Sequence, residues 1–377
     1  MVYTVLHLID SNRKRGAETF AVQLAESMSA EKFVSTLCVL HPLAGDGHLH
    51  SDMPTINLKR RGNGKSRLSL PKVMDLHKAV REVQPDVVLA HGSSALQYGA
   101  VASMLYPNAL AVYRNIGLAS FWVRNPIKAR MNRLLMRRFD AIVSLTGTTK
   151  ADFLQVYKTD SDRVTTIPNG VNLEPFRAVD GGNVRESYRE AMGIGHGEIL
   201  LISVGSLSWE KGPMDLMPVL AALRADGLPV RLVMVGEGPL SDGLRTEAHA
   251  LGIASHVDIL GVRQDVPQLM AASDIFVLPS RTEGLPAALI EAGLSGLPSV
   301  ANDVGAVSDV ITHGETGLII DAGDAGAFND AIVRLVRDDA LRSKMGAAAS
   351  AFCEANFAMD LVAAQYEDLF MSLISSN

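Results

Sequence analysis

The residues best suited to chemistry are two carboxylates, Glu283 and Glu291, which end the stretch EGLPAALIE. Gly284 tolerates backbone conformations and close ligand approach that a Cβ would block, and Pro286 suits the first turn of a helix. The apolar residues 287–290 indicate the start of a buried helix. Because the free N–H groups and the positive dipole end of a helix bind anions, the two acids are expected to flank an anion site.

The spacing of these acids predicts a ligand with a polar group on each side of a phosphate. Glu283 is expected in a loop, at the rim of the site, whereas Glu291 lies more than a turn inside the helix. The plain alternative is that both are solvated surface acids. A strand-like run at 274–280 precedes the motif, and ligands in open α/β sheets bind at the C-terminal ends of strands. A diphosphate flanked by hydroxyl-rich groups, as in a nucleotide sugar, fits this pattern.

Apolar strand patterns alternate with helical patterns along the chain, which predicts doubly wound parallel sheets. The predicted strands are at 2–9, 34–40, 54–58, 87–90, 110–113, 141–145, 164–167, 198–204, 230–235, 256–260, 274–280 and 297–301. The helical patterns lie between them, at 70–82, 95–105, 128–138 and 265–272, with a last one at 359–373. Residues 173–197 are interpreted as a linker with a short helix.

Length and composition bound the class of protein. The chain has 377 residues, of which 47% are hydrophobic, enough for two domains with large cores. Its two cysteines, Cys38 and Cys353, lie in apolar stretches and are predicted to be buried thiols in a reducing compartment. No apolar run reaches the roughly 18 residues of a membrane span, and the first ten residues indicate a strand, not a signal peptide. A cytoplasmic protein is expected.

Charge is unevenly placed, with 22 Lys and Arg against 14 Asp and Glu in residues 1–175, and 13 against 27 in the rest. Two clusters, at 59–67 and at 128–138, account for the basic half, and the aromatic segment 121–124 precedes the second. Such clusters are commonly solvated faces. The sharper hypothesis is a surface for an anionic acceptor or anionic lipid headgroups, which would place the protein peripherally at the inner membrane face. Nucleic acid is not expected, since no binding motif accompanies the charge.

The segment PSRTEGLPAALIEAGLSGLP is similar to the acid-x7-acid signature of the retaining glycosyltransferases of family 4. The segments GSLSWEKG, VGEGP and IPNGVN also resemble elements of that family, closely over 199–322 and less closely before. The resemblance implies a GT-B fold of two doubly wound, Rossmann-like domains facing a cleft. Residues 1–175, joined by a terminal crossover helix at about 359–377, would bind the acceptor, and residues 176–358 the nucleotide sugar.

The resemblance also implies roles on the donor side. Lys211 matches the family's diphosphate-binding lysine, whereas Ser206 replaces its usual arginine, with Arg281 and Arg263 as candidates to supply the charge. Glu291 would hold the ribose hydroxyls and Glu283 a sugar hydroxyl. The donor-binding set is Gly205, Ser206, Lys211, Val262, Arg263, Glu283, Gly284, Leu285, Pro286, Ala287 and Glu291.

Three residues of the first half are assigned to the acceptor side: Gly16, His91 and Arg114. Gly16 stands in a strand-to-helix loop that usually reads Gly-Gly-Ala-Glu in the family, with Arg15 in place of the first glycine. His91 follows a predicted strand and is either a capping or core histidine or a group that orients sugar or acceptor. The catalytic candidates are Lys211, Glu283 and His91.

The expected activity is retaining transfer of a sugar from a nucleoside diphosphate sugar to an acceptor hydroxyl, in bacterial cell-surface glycan or glycolipid assembly. A UDP-sugar is favoured and GDP-mannose comes next; no metal and no other cofactor is expected. The acceptor is not specified, although the basic first half favours an anionic or lipid-linked one. Two alternatives remain: a GT-B sugar-nucleotide epimerase, and a non-catalytic protein that binds sugar nucleotides.

Overall fold

The computed structural model describes residues 1–13, 16–43, 51–59, 69–123, 125–179 and 181–376. Apart from Lys59, the basic cluster predicted at 59–67 lies outside these ranges, as do Arg15 and Arg124. The chain divides into two compact units, Met1–Val171 with Met359–Asn377, and Asn172–Ala358.

The first unit is built on parallel strands with continuous apolar character, as buried parallel strands have. Its described strands are β1 Tyr3–Ile9, β2 Phe33–Val39, β3 Thr55–Asn57, β4 Val87–His91, β5 Leu110–Asn115, β6 Ala141–Ser144 and β7 Val164–Thr166. Its helices, in chain order, are α1 Gly16–Ser27, α2 Leu70–Val83, α3 Gly92–Leu105, α4 Ala119–Trp122, α5 Pro126–Met136 and α6 Gly147–Tyr157.

The second unit repeats the alternation. Its strands are β8 Ile199–Val204, β9 Val230–Val235, β10 Val257–Ile259, β11 Ile275–Leu278, β12 Ser299–Asn302 and β13 Gly317–Ile320. Its helices are α7 Glu174–Arg177, α8 Gly181–Ala191, α9 Leu216–Ala225, α10 Ser241–Ala250, α11 Val266–Ala272, α12 Ala287–Leu294, α13 Ala325–Arg337 and α14 Asp339–Phe357.

Both sheets reverse their strand order at one point. Within the described residues the first runs β3-β2-β1-β4-β5-β6-β7 and the second β10-β9-β8-β11-β12-β13, with every pairing parallel. The reversal lies between β1 and β4 in the first unit and between β8 and β11 in the second. Ligands of doubly wound sheets bind beyond the carboxyl ends of the strands at this switch point. A ligand site is therefore expected at the loops that follow these four strands.

The last helix, α15 Met359–Ser375, belongs to the first unit. Tyr366 and Phe370 are fully buried and pack against aromatic rings of α1 and β2. The Glu367 carboxylate accepts a hydrogen bond of 2.7 Å from the backbone N–H of Ser29, just beyond α1. The first unit is therefore assembled from both ends of the chain.

The helix predicted within residues 173–197 is present, but the interpretation of the remainder as a linker is wrong. These residues contain α7 and the eleven-residue helix α8. Arg185 and Arg189 of α8 pair with the two carboxylate oxygens of Asp274 at 2.5 and 3.0 Å. Because Asp274 stands directly before β11 and is only 9% exposed, these pairs fix α8 to the second sheet. The charged residues that suggested a linker form one face of an amphipathic helix.

Candidate functional site

The centre of the donor-side site is an ion pair between the loops that follow β8 and β11. The Lys211 Nζ donates to both carboxylate oxygens of Glu283, each at 2.8 Å. Ser280 is fully buried and its hydroxyl donates to the same carboxylate at 2.6 Å. The structure thus brings together two residues that are 72 positions apart. It does so at the switch point of the second sheet.

Exposure differs strongly between the two partners. The Lys211 side chain is 34% exposed and can reach a ligand, whereas Glu283 is only 5% exposed. Glu283 is therefore more enclosed than the rim position that the sequence predicts. An ammonium group has three N–H donors, so Lys211 can hold Glu283 and still donate to an anionic oxygen.

Helix α12 begins at Ala287, with Pro286 as the residue before its first turn. Leu289 and Ile290 are buried and anchor the helix against the core, while the first helical N–H groups have no partner inside the helix. Glu291 is the fifth helical residue and half-buried, which agrees with the predicted position more than a turn from the helix start. The N-terminal end of α12 thus follows Glu283 after three residues, Gly284, Leu285 and Pro286.

Glycines permit the close packing of loops around this pair. Gly305 has a φ of +60°, and a Cβ there would lie 1.8 Å from the carbonyl oxygen of Glu283. Gly236 has a φ of +138°, and its Cβ would lie 1.9 Å from the carbonyl oxygen of Gly205. Both positions require glycine because no side chain fits. Gly305 thus allows its loop to pass close to the backbone of Glu283.

Ser206 lies in the loop after β8, and together with Gly205, Lys211 and the end of β11 it lines a small pocket. The two arginines considered as replacements for a guanidinium at this position have acidic partners. Arg281 pairs with Asp215 at 2.8 Å and also donates to the carbonyl of Trp209 at 3.0 Å. Arg263 forms a two-bond pair with Asp265, at 2.8 and 2.6 Å. Lys211 is also paired, with Glu283, but it lies in the same loop as Ser206 and lines the same pocket.

Val262 and Arg263 lie in the loop that follows β10, and both are exposed. The Arg263 pair holds the pKa of Asp265 down to about 2, mainly through the hydrogen bond between them. Within the described residues, no hydrogen bond or ion pair joins Val262 or Arg263 to Lys211 or Glu283. Its assignment to the donor site remains a prediction.

On the acceptor side the structure places His91 at the carboxyl end of β4, beside the switch point of the first sheet. It is 3% exposed, and its Nε2 lies 3.2 Å from Nδ1 of His7 on β1. His7 Nε2 in turn lies 3.3 Å from the hydroxyl of Ser35. His91 precedes α3 but its side chain caps no helix N–H. Of the described atoms, none is a hydrogen-bond partner of its buried Nδ1.

Burial keeps both histidines neutral. It lowers the pKa of His7 to about 3. Burial likewise lowers the pKa of His91 well below its usual value, and the charge of Arg114 and the neighbouring His7 lower it further. A neutral imidazole has one N–H donor and one acceptor nitrogen, so this pair can exchange hydrogen bonds with a hydroxyl without carrying charge.

Arg114, near the carboxyl end of β5, is 1% exposed. It donates to the side-chain oxygen of Asn169 and lies over the ring of Phe20, with 3.7 Å between the guanidinium carbon and the ring centroid. Burial lowers the pKa of Arg114, while Tyr366 and Glu18 raise it. Its Nε and Nη1 form no hydrogen bond of good geometry among the described atoms, although the Tyr366 hydroxyl is near enough to favour its charged form. Buried donors without partners are uncommon, which marks this group as a candidate ligand contact.

Gly16 is the first residue of α1, and a Cβ at this position would contact nothing within 4 Å. The fold itself therefore does not require a glycine there. Sequence reasoning missed Ser280, His7, Glu18 and Asn169, which complete the two groups of site residues. The signal for His7 was a polar residue inside an apolar strand.

Both cysteines, Cys38 and Cys353, are free and buried as predicted. Among the residues that the structure describes, no group of three or more His, Cys, Asp or Glu side chains could hold a metal ion. None of the helices in the described part of the chain combines the length and apolar character that a membrane span requires.

Comparisons with known proteins cover both halves of the chain. The family model for Glycosyl transferases group 1 matches residues 184–352, and that for Glycosyltransferase Family 4 matches residues 14–175. The Escherichia coli UDP-Gal:alpha-D-GlcNAc-diphosphoundecaprenol alpha-1,3-galactosyltransferase is 25% identical over 284 residues, 72% of each chain. A GDP-mannose-dependent alpha-(1-6)-phosphatidylinositol monomannoside mannosyltransferase of Mycobacterium tuberculosis is 26% identical over 299 residues, 75% of this chain and 77% of that protein.

Solved structures show the same fold. HepE of Anabaena, in complex with UDP and glucose, superposes with a TM-score of 0.85 at 21% identity, over 98% of this chain and 100% of that chain. WaaG, a glycosyltransferase involved in lipopolysaccharide biosynthesis, gives a TM-score of 0.77 at 18% identity, over 97% and 99%. The predicted GT-B fold is confirmed. With family models matching both halves and this fold, the chain belongs to the family 4 glycosyltransferases.

Proposed function

We propose that this protein is a retaining, metal-independent glycosyltransferase that moves a sugar from a nucleoside diphosphate sugar to an acceptor hydroxyl. A UDP-sugar is the favoured donor and GDP-mannose the next, because relatives using each are among the similar proteins and HepE binds UDP and glucose. We place the activity in the cytoplasm, in line with two free, buried thiols, and in the assembly of bacterial cell-surface glycans or glycolipids.

The observation that carries this proposal is the Lys211–Glu283 pair beside the start of α12. In sugar transfer, negative charge develops on the departing diphosphate, and fixed cations and N–H groups stabilise it. Lys211 is exposed enough to contact a phosphate oxygen, and the first N–H groups of α12 supply donors without charge of their own. Gly284, Leu285, Pro286 and Ala287 shape this end of the helix.

The two acids then hold hydroxyls on either side of the diphosphate. We assign Glu283 to a hydroxyl of the sugar and Glu291, one helical turn further, to the ribose. Gly205 and Ser206 would line the phosphate path, and Val262 with Arg263 the base. The buried hydrogen bond from Ser280 fixes the Glu283 carboxylate, so this acid is oriented before the donor arrives.

The acceptor side is proposed from the first unit. The neutral His91 can accept or donate a hydrogen bond at the reacting hydroxyl, and the unused donors of Arg114 suit an anionic or strongly polar group of the acceptor. Gly16 would let the acceptor or sugar approach the start of α1. Catalysis then rests on leaving-group stabilisation and on positioning.

The test is incubation with a panel of UDP-, GDP- and ADP-sugars, measuring release of the nucleoside diphosphate with and without chelator, and the anomeric configuration of the product. We expect Lys211→Ala to lower turnover by a factor of about ten to a thousand, as loss of one oxyanion donor does. Lys344→Ala provides the control, since this exposed lysine lies on α14 in the same unit.

The outcomes separate the alternatives. Normal turnover by Lys211→Ala would exclude this lysine from the diphosphate role. A new sugar isomer without transfer would identify an epimerase. Thermal stabilisation by one nucleotide, which reaches about 2.7 kcal/mol at a hundred times its dissociation constant, without any turnover would identify a binding protein. A binding protein is a real alternative because Ser206 stands in place of the family's arginine. The two nearby candidates, Arg281 and Arg263, are both paired with carboxylates in the described loops.

A further inference from the structure

Helix α5 of the first unit has an apolar face that points away from the core. Ile127, Met131 and Leu134 follow the i, i+4, i+7 spacing of one helix face, and they are 77%, 47% and 62% exposed. The buried residues of this helix, Asn132 and Met136, lie on the opposite side. This face therefore serves no purpose in the packing of its own unit, and water contact makes it costly.

An exposed tryptophan precedes this helix in the chain. Trp122, at the end of α4, is 59% exposed and packs edge-on against Phe121 with 4.9 Å between ring centroids. It stands four residues before α5. Tryptophan side chains are enriched at the boundary between water and lipid, because the indole ring is apolar but carries a polar N–H group.

Basic side chains flank the apolar face and continue past the helix end. They are Lys128, Arg130, Arg133, Arg137 and Arg138, all exposed. Across the described residues, none of them forms an ion pair with a carboxylate, in contrast to the arginines of the second unit around Asp274, Asp215 and Asp265. Their charge is available to a partner outside the chain.

A cavity of about 190 Å³ lies at the C-terminal end of α5. In the described part of the chain its walls carry the cations Arg133, Arg137, Lys158 and Arg163, against the single carboxylate of Asp160. The Arg163 guanidinium donates to the carbonyls of Met136 and Phe139, which holds it in place. Such a concentration of cations, one of them held in place, suits a phosphate group.

We propose that the α5 face, defined as Trp122, Ile127, Met131 and Leu134 with the adjoining cationic cavity, docks on a membrane that contains anionic phospholipids. The apolar side chains enter the boundary between headgroups and acyl chains, as on other interfacial helices. The cavity receives the phosphate of a lipid headgroup, and the flanking cations add attraction to the surface. This surface is separate from the transfer chemistry, and the proposal does not depend on it.

The apolar face decides between a membrane and a nucleic acid. A nucleic acid would satisfy Arg133, Arg137 and Lys158 through its phosphates, but it would leave Ile127 and Leu134 in water. An anionic membrane surface offers phosphates to the basic side chains and acyl chains to the apolar ones. The combination of charge and apolar stripe, not the charge alone, supports the lipid partner.

The experiment is flotation of the full chain with vesicles of phosphatidylcholine alone and of phosphatidylcholine mixed with phosphatidylglycerol. We expect binding to the mixed vesicles only, and weaker binding as salt is added, because salt screens the exposed cations. In a Trp209→Phe background, Trp122 is the remaining tryptophan, and its fluorescence should shift to shorter wavelength as vesicles bind.

Two double variants divide the contributions. Ile127→Ser with Leu134→Ser and Arg133→Gln with Arg137→Gln are each expected to lower the partition coefficient by a factor of about ten or more. The matched controls are Leu251→Ser with Leu361→Ser, and Arg334→Gln with Arg337→Gln, which remove exposed side chains of the same kinds elsewhere. They should bind like the unchanged protein.

Three outcomes would overturn the proposal. One is equal loss of binding in the controls, which would mean non-specific charge attraction. Another is undiminished binding by the Ile127 and Leu134 variant together with equal affinity for a single-stranded oligonucleotide. The third is full displacement from vesicles by millimolar inorganic phosphate, which would make the cavity a site for free phosphate. Nucleotide-sugar hydrolysis without vesicles should be unchanged in all four variants, so failure here and failure of the transferase proposal remain distinguishable.

Discussion

The two candidate sites occupy equivalent switch points but are built from opposite kinds of interaction. In the second unit, Lys211 and Glu283 form an ion pair whose cation is one-third exposed. In the first unit, His7, His91 and Arg114 are each at most 3% exposed, and the two histidines are neutral. The site of the second unit presents an exposed cation to a ligand. The site of the first unit consists of two buried, uncharged imidazole rings and one buried cation.

This contrast fits the chemistry that each unit is proposed to handle. A diphosphate needs an accessible cation and backbone donors, which the loops after β8 and β11 supply. An acceptor hydroxyl needs orientation more than charge, and a neutral imidazole provides it. The comparison also implies that the two sites are disrupted by different changes. The second site should be most sensitive to changes in backbone conformation, and the first to protonation or to loss of one buried group.

The largest expected effect tests the backbone of the second site. In Gly305→Ala the new Cβ would lie 1.8 Å from the Glu283 carbonyl oxygen at a φ of +60°, so the loop must move. We expect a loss of about 3 kcal/mol in unfolding free energy, together with loss of stabilisation by UDP. Urea unfolding and thermal shift with nucleotide measure the two effects.

Gly314→Ala is the matched control for this change. Gly314 has a φ of +80°, but a Cβ there would meet nothing within 4 Å. It should cost only the backbone strain of an alanine at positive φ, about 1 kcal/mol, and leave the nucleotide response intact. Equal behaviour of the two variants would contradict the idea that Gly305 supports Glu283.

The next effect concerns protonation of the first site. Burial holds the pKa of His7 at about 3, below the value near 6.5 of an unfolded histidine. Between these values the unfolded chain binds the additional proton, so stability is lost as the pH falls. For His7 alone the loss from about pH 7 to about pH 5 is about 2 kcal/mol.

Hydrogen exchange of β1 and β4 amides at the two pH values, corrected for intrinsic exchange rates, measures this loss. His7→Gln keeps polar atoms but does not titrate, so its stability should depend less on pH. An unchanged pH response in that variant would show that another group dominates. Strands β8 and β11, whose site holds no buried histidine among the described residues, serve as the internal reference.

The smallest expected stability effect belongs to Arg114→Met. Burial disfavours the Arg114 cation, and relief of that cost offsets part of the loss of its hydrogen bond to the Asn169 side chain. We expect unfolding free energy to change by no more than about 1 kcal/mol, while turnover falls about tenfold, equivalent to about 1.4 kcal/mol.

Arg189→Met sharpens this test, because that side chain is 15% exposed and pairs with Asp274. Removing it weakens the pairing of a buried carboxylate and should destabilise the protein more than Arg114→Met does. If instead Arg114→Met unfolds the first unit and turns over normally when folded, Arg114 is a structural residue.

Much of the fold follows from the sequence because parallel strands are continuous apolar runs. The run 230–235 is β9 without adjustment, and 198–204 differs from β8 by one residue. The segments that contain Lys211 and Glu283 were also predictable, since each is a short local stretch directly after a strand. Helix α8 was predicted only as a short helix within a linker, because its charged residues hid the side that packs on α11.

The first site could not be assembled from sequence in the same way. His7, Glu18 and Asn169 come from a strand, a helix start and a loop that are far apart in the chain, and no local pattern links them. Likewise, the sequence indicated Lys211 and Glu283 separately, but only the folded loops show that they form a pair. The packing around Glu283 also involves Gly305, which comes from a third segment of the chain. No rule of residue spacing connects Gly305 with the acidic motif.

The return of α15 to the first unit sets an order for biosynthesis. Residues 359–377 are synthesised after the rest of the first unit and after the whole second unit, yet Tyr366 and Phe370 fill the core beside α1 and β2. Since domains fold as their residues emerge, the second unit can mature while the first still lacks this piece. The nascent N-terminal half must therefore wait with an uncovered apolar surface, a period in which chaperone binding would protect it from aggregation.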